Sequence, residues 1–436
     1  MNARPSLSRG TAIVFATALM LALVGLRVAA QGESLTQTPY PTATPYPTST
    51  SYPTSTPAPS TGLTATAPGT KEPGQSASNV KWSVSDMAFQ SEYPKGFSFS
   101  VKITSSAGPV VRGRVIWSHA PGTQRSRPIT VDPTTGMITA EWDVTAGEAV
   151  PPWVGITYYW DVGDSQGNTF QTEPQYVEYE DKGHKWIRTE SQDIIVFSEN
   201  LPESINQMSM DAMAQQRETY RAAWGDLLPY KPRAFLFGDR PAWDEWHVGA
   251  TDPHVIGTTS SDWGGTAQVA YQENLTDLAY GTVLHEVAHL YQAAFTIMPA
   301  GDWFIEGNAT FFELHQQYDY LASVQLLAAA GELPPLLEGP GPAVSGQHAR
   351  DGYDIGYTWW KWLVDNYGLD GHRKLIQLLD QGVSRNKAIE EVTGLSISEV
   401  ESRWRVWLGA SAVPPTLIPL PTAPGFPTPT QFTFGS

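Results

Sequence analysis

The spacing of apolar residues changes character along the chain. Phe97, Phe99, Val101 and Ile103 alternate with Ser98, Ser100, Lys102 and Thr104, the period of two of a half-buried strand. Further strands are expected at Val110–Ser118, 137–144 and 155–162, the last running into the turn-forming Gly163-Asp164-Ser165-Gln166-Gly167-Asn168. Short strands separated by turn signals predict an all-β, immunoglobulin-like or fibronectin-like sandwich over residues 79–185. Trp117, Trp142, Trp153 and Trp160 fall in these segments and fit its core or rim, or else an aromatic platform for carbohydrate.

From residue 186 the pattern is mixed and then helical. Strands are expected at 193–198, 233–237 and 268–272, with an amphipathic helix over 203–224 between the first two. A helix beginning after Asn274-Leu275-Thr276 ends near Phe295, a turn passes through Pro299-Ala300-Gly301, and Asp302 is placed to cap the next helix. A Gly- and Pro-rich loop over 331–346 is long enough to rim a cleft. Helices are expected at 321–330, 353–367, 372–381, 386–392 and 398–408, the last announced by the capping box Ser396-x-x-Glu399. Residues 186–410 thus read as an α+β domain.

The two ends are different in composition. Arg4 and Arg9 precede an apolar run over 11–26 and the small residues Val28-Ala29-Ala30, the layout of a signal peptide over 1–30, with an uncleaved membrane anchor as the alternative. Residues 31–78 are rich in Thr, Pro and Ser and repeat P-Y-P-T-A-T, P-Y-P-T-S-T and S-Y-P-T-S-T, which predicts an extended, unfolded spacer. Residues 411–436 return to Pro and Thr and are expected to be a disordered tail. The expectation is a secreted or cell-surface protein, with association to a wall or surface through the spacer or the sandwich. A net charge of −17 argues against nucleic acid and anionic lipid as partners. The absence of cysteine leaves His and carboxylate as the only strong metal donors.

Those donors gather between residues 282 and 313. In T-V-L-H-E-V-A-H-L-Y, His285 and His289 lie four apart, on one face of a helix, where both imidazoles can reach a single metal ion. Glu286 beside them can take the proton of a zinc-bound water, whose pKa the metal lowers to about 7. The competing reading of the pentapeptide is a core helix with two hydrogen-bonded histidines and an exposed glutamate. A catalytic zinc takes a third protein donor, and Glu306, seventeen positions after His289, is the best placed if the second helix runs back antiparallel to the first.

Trp303-Phe304-Ile305-Glu306-Gly307-Asn308-Ala309 resembles the W-x-x-E-G-x-A segment that follows H-E-x-x-H in gluzincin metallopeptidases, the clan of thermolysin and the M1 aminopeptidases. The resemblance covers roughly residues 278–407, strongly in its first third and through the pattern of helices, similar to peptidase MA-like relatives of M1, thereafter. It implies a zinc peptidase domain with His285, His289 and Glu306 as metal ligands and Glu286 as general base. It also implies a sheet whose edge strand pairs with an extended peptide or protein substrate. Tyr353 stands in the Y-x-x-G context of the tyrosine that, in M1 relatives, donates to the oxyanion; Tyr357 and His348 are its rivals. Thr310 and Glu313 are candidates to hold a ligand imidazole from behind. His119, His184, His247, His254, His315 and His372 read as surface or structural.

The chain departs from the aminopeptidase pattern in one respect: no G-x-M-E-N segment occurs near 249–257, and Tyr271-Gln272-Glu273-Asn274 lies too close to the metal helix to replace it. This argues against exopeptidase action. The alternative from another class is a non-catalytic surface-binding protein, its sandwich an adhesion module and its gluzincin-like domain a scaffold.

Overall fold

The computed structural model describes residues 15–17, 80–145, 148–249, 255–270, 274–296, 302–346 and 349–414. The spacer, most of the signal-like segment, most of the C-terminal tail, His254 and His348 lie outside the described residues.

The strands in chain order are β1 (Phe15–Thr17), β2 (Trp82–Ser91), β3 (Gly96–Ser105), β4 (Val110–Ser118), β5 (Arg125–Pro128), β6 (Thr130–Val131), β7 (Met137–Asp143), β8 (Gly155–Asp164), β9 (Thr169–Gln171) and β10 (Gln175–Glu178). They are followed by β11 (Trp186–Glu190), β12 (Ile195–Glu199), β13 (Arg233–Phe237), β14 (Gly257–Ser260) and β15 (Gly265–Val269). Strands β2–β10 build two antiparallel sheets, ordered β2-β3-β7-β6 and β10-β8-β4-β5, with β9 on β8.

The alternation in β3 turns Phe97, Phe99, Val101 and Ile103 toward the second sheet, where Phe99 meets Tyr158 at a ring separation of 4.7 Å and Phe97 meets Trp117 at 5.8 Å. Trp117, Trp142 and Trp160 are each at most 1% exposed, and Trp153 stacks on Phe197. The expectation of an aromatic carbohydrate platform is therefore overturned for Trp117, Trp142 and Trp160, which the protein's own side chains cover, whereas Trp153 is half-buried with one face on Phe197.

The third sheet is mixed, ordered β1-β14-β15-β13-β12-β11, with β12, β13 and β15 parallel. Its central strands are buried along their whole length. Successive residues face two different cores: Phe197, Phe235 and Phe237 join the sandwich core, whereas Val196, Ala234 and Leu236 join the helical one. Sandwich and helices thus pack against opposite faces of one sheet.

The helices are α1 (Ser204–Trp224), α2 (Arg240–Glu245), α3 (Leu275–Asp277), α4 (Val283–Phe295), α5 (Trp303–Phe311), α6 (Tyr320–Ala330), α7 (Ala349–Asp380), α8 (Arg385–Thr393) and α9 (Ile397–Trp407). A π-helical turn, Leu278–Thr282, leads directly into α4. Gly368, at φ 68° and ψ 178°, interrupts α7 in a conformation open to glycine, which divides it where the sequence predicts two helices. Asp302 caps α5 by accepting from the backbone N–H of Phe304 and Ile305, and Ser396 with Glu399 forms the expected capping box.

The strand expected at 268–272 lies earlier, at β15, and β14 has no counterpart among the expected strands. Gly257-Thr258-Thr259-Ser260 has no apolar alternation because it is buried against α4, where Gly257 and Thr259 both adjoin Glu286. Its burial is polar in kind.

Candidate metal centre

Helix α4 is apolar on nearly every side: Val283, Leu284, Val287, Ala288 and Leu290 are fully buried, and Tyr220 of α1 donates its hydroxyl to the Leu284 carbonyl at 2.9 Å. The remaining positions present His285, Glu286 and His289. Helix α5 brings Glu306 to them, and Nε2 of each histidine lies 3.4 Å from Oε2 of Glu306. One ligand atom from each of the three residues falls within 4.8 Å of the others, and all three side chains are buried. Nε2 of His285 and Oε2 of Glu306 are hidden from solvent and make no hydrogen bond of good geometry. Two imidazole nitrogens and a carboxylate oxygen converging on one point suit a zinc ion with an open fourth position.

The far side of each imidazole is held. Nδ1 of His285 lies 3.0 Å from Oε1 of Glu313, with the Thr310 hydroxyl at 3.5 Å, and the Tyr320 hydroxyl donates to the other Glu313 oxygen at 3.0 Å. Nδ1 of His289 lies 2.7 Å from Oε1 of Gln292. A ring that spends its Nδ1–H on such a partner turns the lone pair of Nε2 toward the common point. Burial by itself lowers the pKa of His285, but Glu306 and Glu313 outweigh it and hold the ring up at about 10. Burial raises the Glu306 carboxyl, and the two histidines more than offset this, leaving it well below the usual carboxylate range. Without a metal, the charge that these carboxylates favour on His285 is a proton, which a metal at Nε2 would replace.

Glu286 is 1% exposed, so the reading with an outward-facing glutamate does not describe this helix. Its Oε2 accepts from the Thr259 hydroxyl on β14, while Oε1 is buried without a partner. A Cβ at Gly257 would come within 3.1 Å of that free oxygen, so glycine there keeps the space beside it open.

Tyr353 on α7 stacks on His285, with ring centroids 5.8 Å apart and planes 23° from parallel. Burial, then the charges of Glu306 and Glu286, push its phenol well above the ordinary value, so at neutral pH it carries its proton and can donate it in a hydrogen bond. Tyr357, one turn on, packs edge-on against Tyr320 instead. The Arg350 guanidinium sits over the rings of Tyr320 and Tyr353, at 4.3 and 5.6 Å, and bonds Asp354 at 2.9 Å.

Helices α5 and α7 approach this closely because each carries glycine where they cross. A Cβ on Gly307 would stand 2.2 Å from the Gly356 carbonyl carbon, and one on Gly356 would stand 2.2 Å from the Trp303 carbonyl oxygen. Trp360 fastens the crossing by donating its indole N–H to the Phe304 carbonyl at 2.7 Å.

His285, Glu286, His289, Glu306 and Tyr353 lie in one neighbourhood, and Gln292, Thr259, Tyr320 and Arg350 join them there without being expected from the sequence. Gln292 stands at helical spacing from His289 and was legible in principle. Thr259 and Arg350 reach the site only through the tertiary fold.

No family model and no curated protein matches the chain. Among solved structures it is similar to an M1 zinc metallopeptidase from Deinococcus radiodurans, at 14% identity and a TM-score of 0.31 over 74% of this chain and 92% of that one. It is also similar to an aminopeptidase N family protein from Idiomarina loihiensis (10%, TM-score 0.27, covering 76% and 72%). A third is aminopeptidase A of Legionella pneumophila (13%, TM-score 0.31, covering 72% and 48%), solved with aspartic acid. With identities and TM-scores this low, the functional reading below rests on the side chains of this chain.

Proposed function

We propose that the protein is an exported zinc-dependent peptidase in which His285, His289 and Glu306 hold the metal, Glu286 is the general base and Tyr353 stabilises the oxyanion. The observation that carries the reading is the convergence of three buried donors on one point, with a base and a protonated phenol beside them. Zinc bound there would supply a Lewis acid that polarises the scissile carbonyl and eases deprotonation of water. Glu286, fixed by Thr259 through one oxygen, takes the proton of the attacking water on the other and passes it to the leaving amine. Tyr353 donates to the carbonyl oxygen as negative charge develops on it. The gluzincin resemblance makes an extended peptide the substrate, and it would lie along the outer edge of β14, which adjoins Glu286 and is paired by β1 of the signal-like segment, taking the place of β1 once that segment is removed. Export rests on the signal-like N-terminus, and a surface-attachment role for an immunoglobulin-like sandwich belongs to the same proposal. Among the described residues, no helix is long and apolar enough to cross a membrane.

Metal analysis and a peptide-library digest test the proposal. The purified protein should contain about one zinc per chain, reduced by His285→Ala. Glu286→Gln should keep the metal and abolish cleavage. Zinc well below that ratio and indifferent to His285→Ala would overturn it, and zinc without cleavage of any library peptide would favour a binding protein built on this scaffold.

A further inference from the structure

Behind His289 the hydrogen bonds continue, and each link has only one possible direction. The Ala223 carbonyl, in the last turn of α1, can only accept, so Nδ1 of His372, 2.9 Å away, must carry the proton. In the neutral ring Nε2 of His372 is then an acceptor, which requires the nitrogen of the Asn308 amide to face it at 2.9 Å. The Asn308 oxygen is thereby turned toward Gln292, whose Nε2 donates to it at 3.0 Å and to the Ile305 carbonyl at 2.9 Å. With both its amide hydrogens used, Gln292 presents only its oxygen to His289, at 2.7 Å. His289 must therefore hold its proton on Nδ1 and offer Nε2 to the metal point.

His372, Asn308, Gln292 and His289 are each at most 2% exposed, so water is not at hand to relieve a wrongly turned amide. The four stand on α7, α5 and α4, and the fixed end is on α1. Burial holds His372 down at about 4, which keeps it neutral near pH 7.

We propose that His372, Asn308 and Gln292 are positioning residues that form a one-way hydrogen-bond relay from the Ala223 carbonyl, fixing the tautomer and aim of His289 for metal. A carbonyl at one end of the helical core thus sets which nitrogen of His289 is available. The metal-affinity part of this proposal rests on the zinc reading above; the direction of the relay does not.

Two measurements test it. In the first, ring nitrogens of the 15N-histidine-labelled full chain, without added metal, are read by NMR at neutral pH, with His372 assigned by its loss in His372→Phe. Wild-type His372 should be the Nδ1–H tautomer, and a proton on Nε2 would reverse the relay and overturn the proposal. In the second, zinc affinity is measured by chelator competition. Gln292→Leu should weaken it about 10–100-fold, as for other partners of ligand imidazoles. His372→Phe, which keeps the ring but no nitrogen, should weaken it by a smaller factor, roughly threefold to tenfold. His372→Gln, able to donate to Ala223 and accept from Asn308, should recover most of that loss. Unchanged affinity in Gln292→Leu, or equal losses in His372→Phe and His372→Gln, would show that packing and not polarity acts here, and would overturn the relay. Failure of the wild type to bind zinc with the His372 tautomer as stated would instead count against the metal reading.

Discussion

Gly307 and Gly356 meet backbone to backbone, and their contact sets how near Tyr353 comes to His285. Glu306 precedes one glycine and Tyr353 lies a turn before the other, so ligand and phenol are both placed by this crossing. Gly307→Ala puts a methyl 2.2 Å from a backbone carbon that cannot rotate away. The helices must part, at a cost of about 1–3 kcal/mol. Thermal melts should show that loss, and turnover should fall further than stability because Tyr353 moves with α7. A variant as active as wild type would mean that the crossing is looser than described.

Tyr353→Phe removes one oxygen and little volume. Loss of one oxyanion donor should lower kcat on the order of 10²–10³ with little change in KM and an unchanged melting temperature. Tyr357→Phe should behave as wild type, since that ring packs on Tyr320. Steady-state kinetics on a single peptide from the library digest would distinguish them, and a crippled Tyr357→Phe alone would reverse the assignment.

Glu313 accepts from both His285 and Tyr320. Its replacement by alanine takes the acceptor from the Tyr320 hydroxyl and leaves His285 only the longer contact to Thr310, loosening the ring of a ligand. Zinc affinity should fall about 10–100-fold, read by competition with a chromophoric chelator. Tyr320→Phe should cost less, because Glu313 would still hold His285.

Acid should weaken the fold through His119, whose ring nitrogens are hidden against Phe97 and Trp142. Burial, reinforced by Arg125, lowers its pKa from 6.5 to about 3. The unfolded chain therefore takes up a proton that the folded one refuses. Its contribution to stability is full above about 6.5 and is lost as the pH falls toward about 3. Melting temperatures measured across that range should fall less steeply in His119→Phe than in the wild type.

Much of this architecture was legible because local rules wrote it. The period of two in β3, the Asp302 cap, the Ser396–Glu399 box and the break at Gly368 each depend on a few adjacent residues, and each formed where expected. The four-residue spacing of His285 and His289 and the return of Glu306 follow from the same rules. Strand β14 and the hold of Thr259 on Glu286 were not legible, because a strand of Gly, Thr and Ser shows no apolar period when its burial is against polar groups. The relay through Asn308 and His372 was invisible for another reason. Its members lie 16 and 64 residues apart, and only the packed helices bring them together.

The six-stranded sheet has a consequence for how the molecule comes apart. Phe197 and Val196 are neighbours in the chain, yet one belongs to the sandwich core and the other to the helical core. Neither core can melt without stripping one wall from the other, and the exposed face of β12 and β13 would be apolar. Heat should therefore be absorbed in a single calorimetric peak from residue 81 onward, and a fragment cut between sandwich and sheet should aggregate rather than fold.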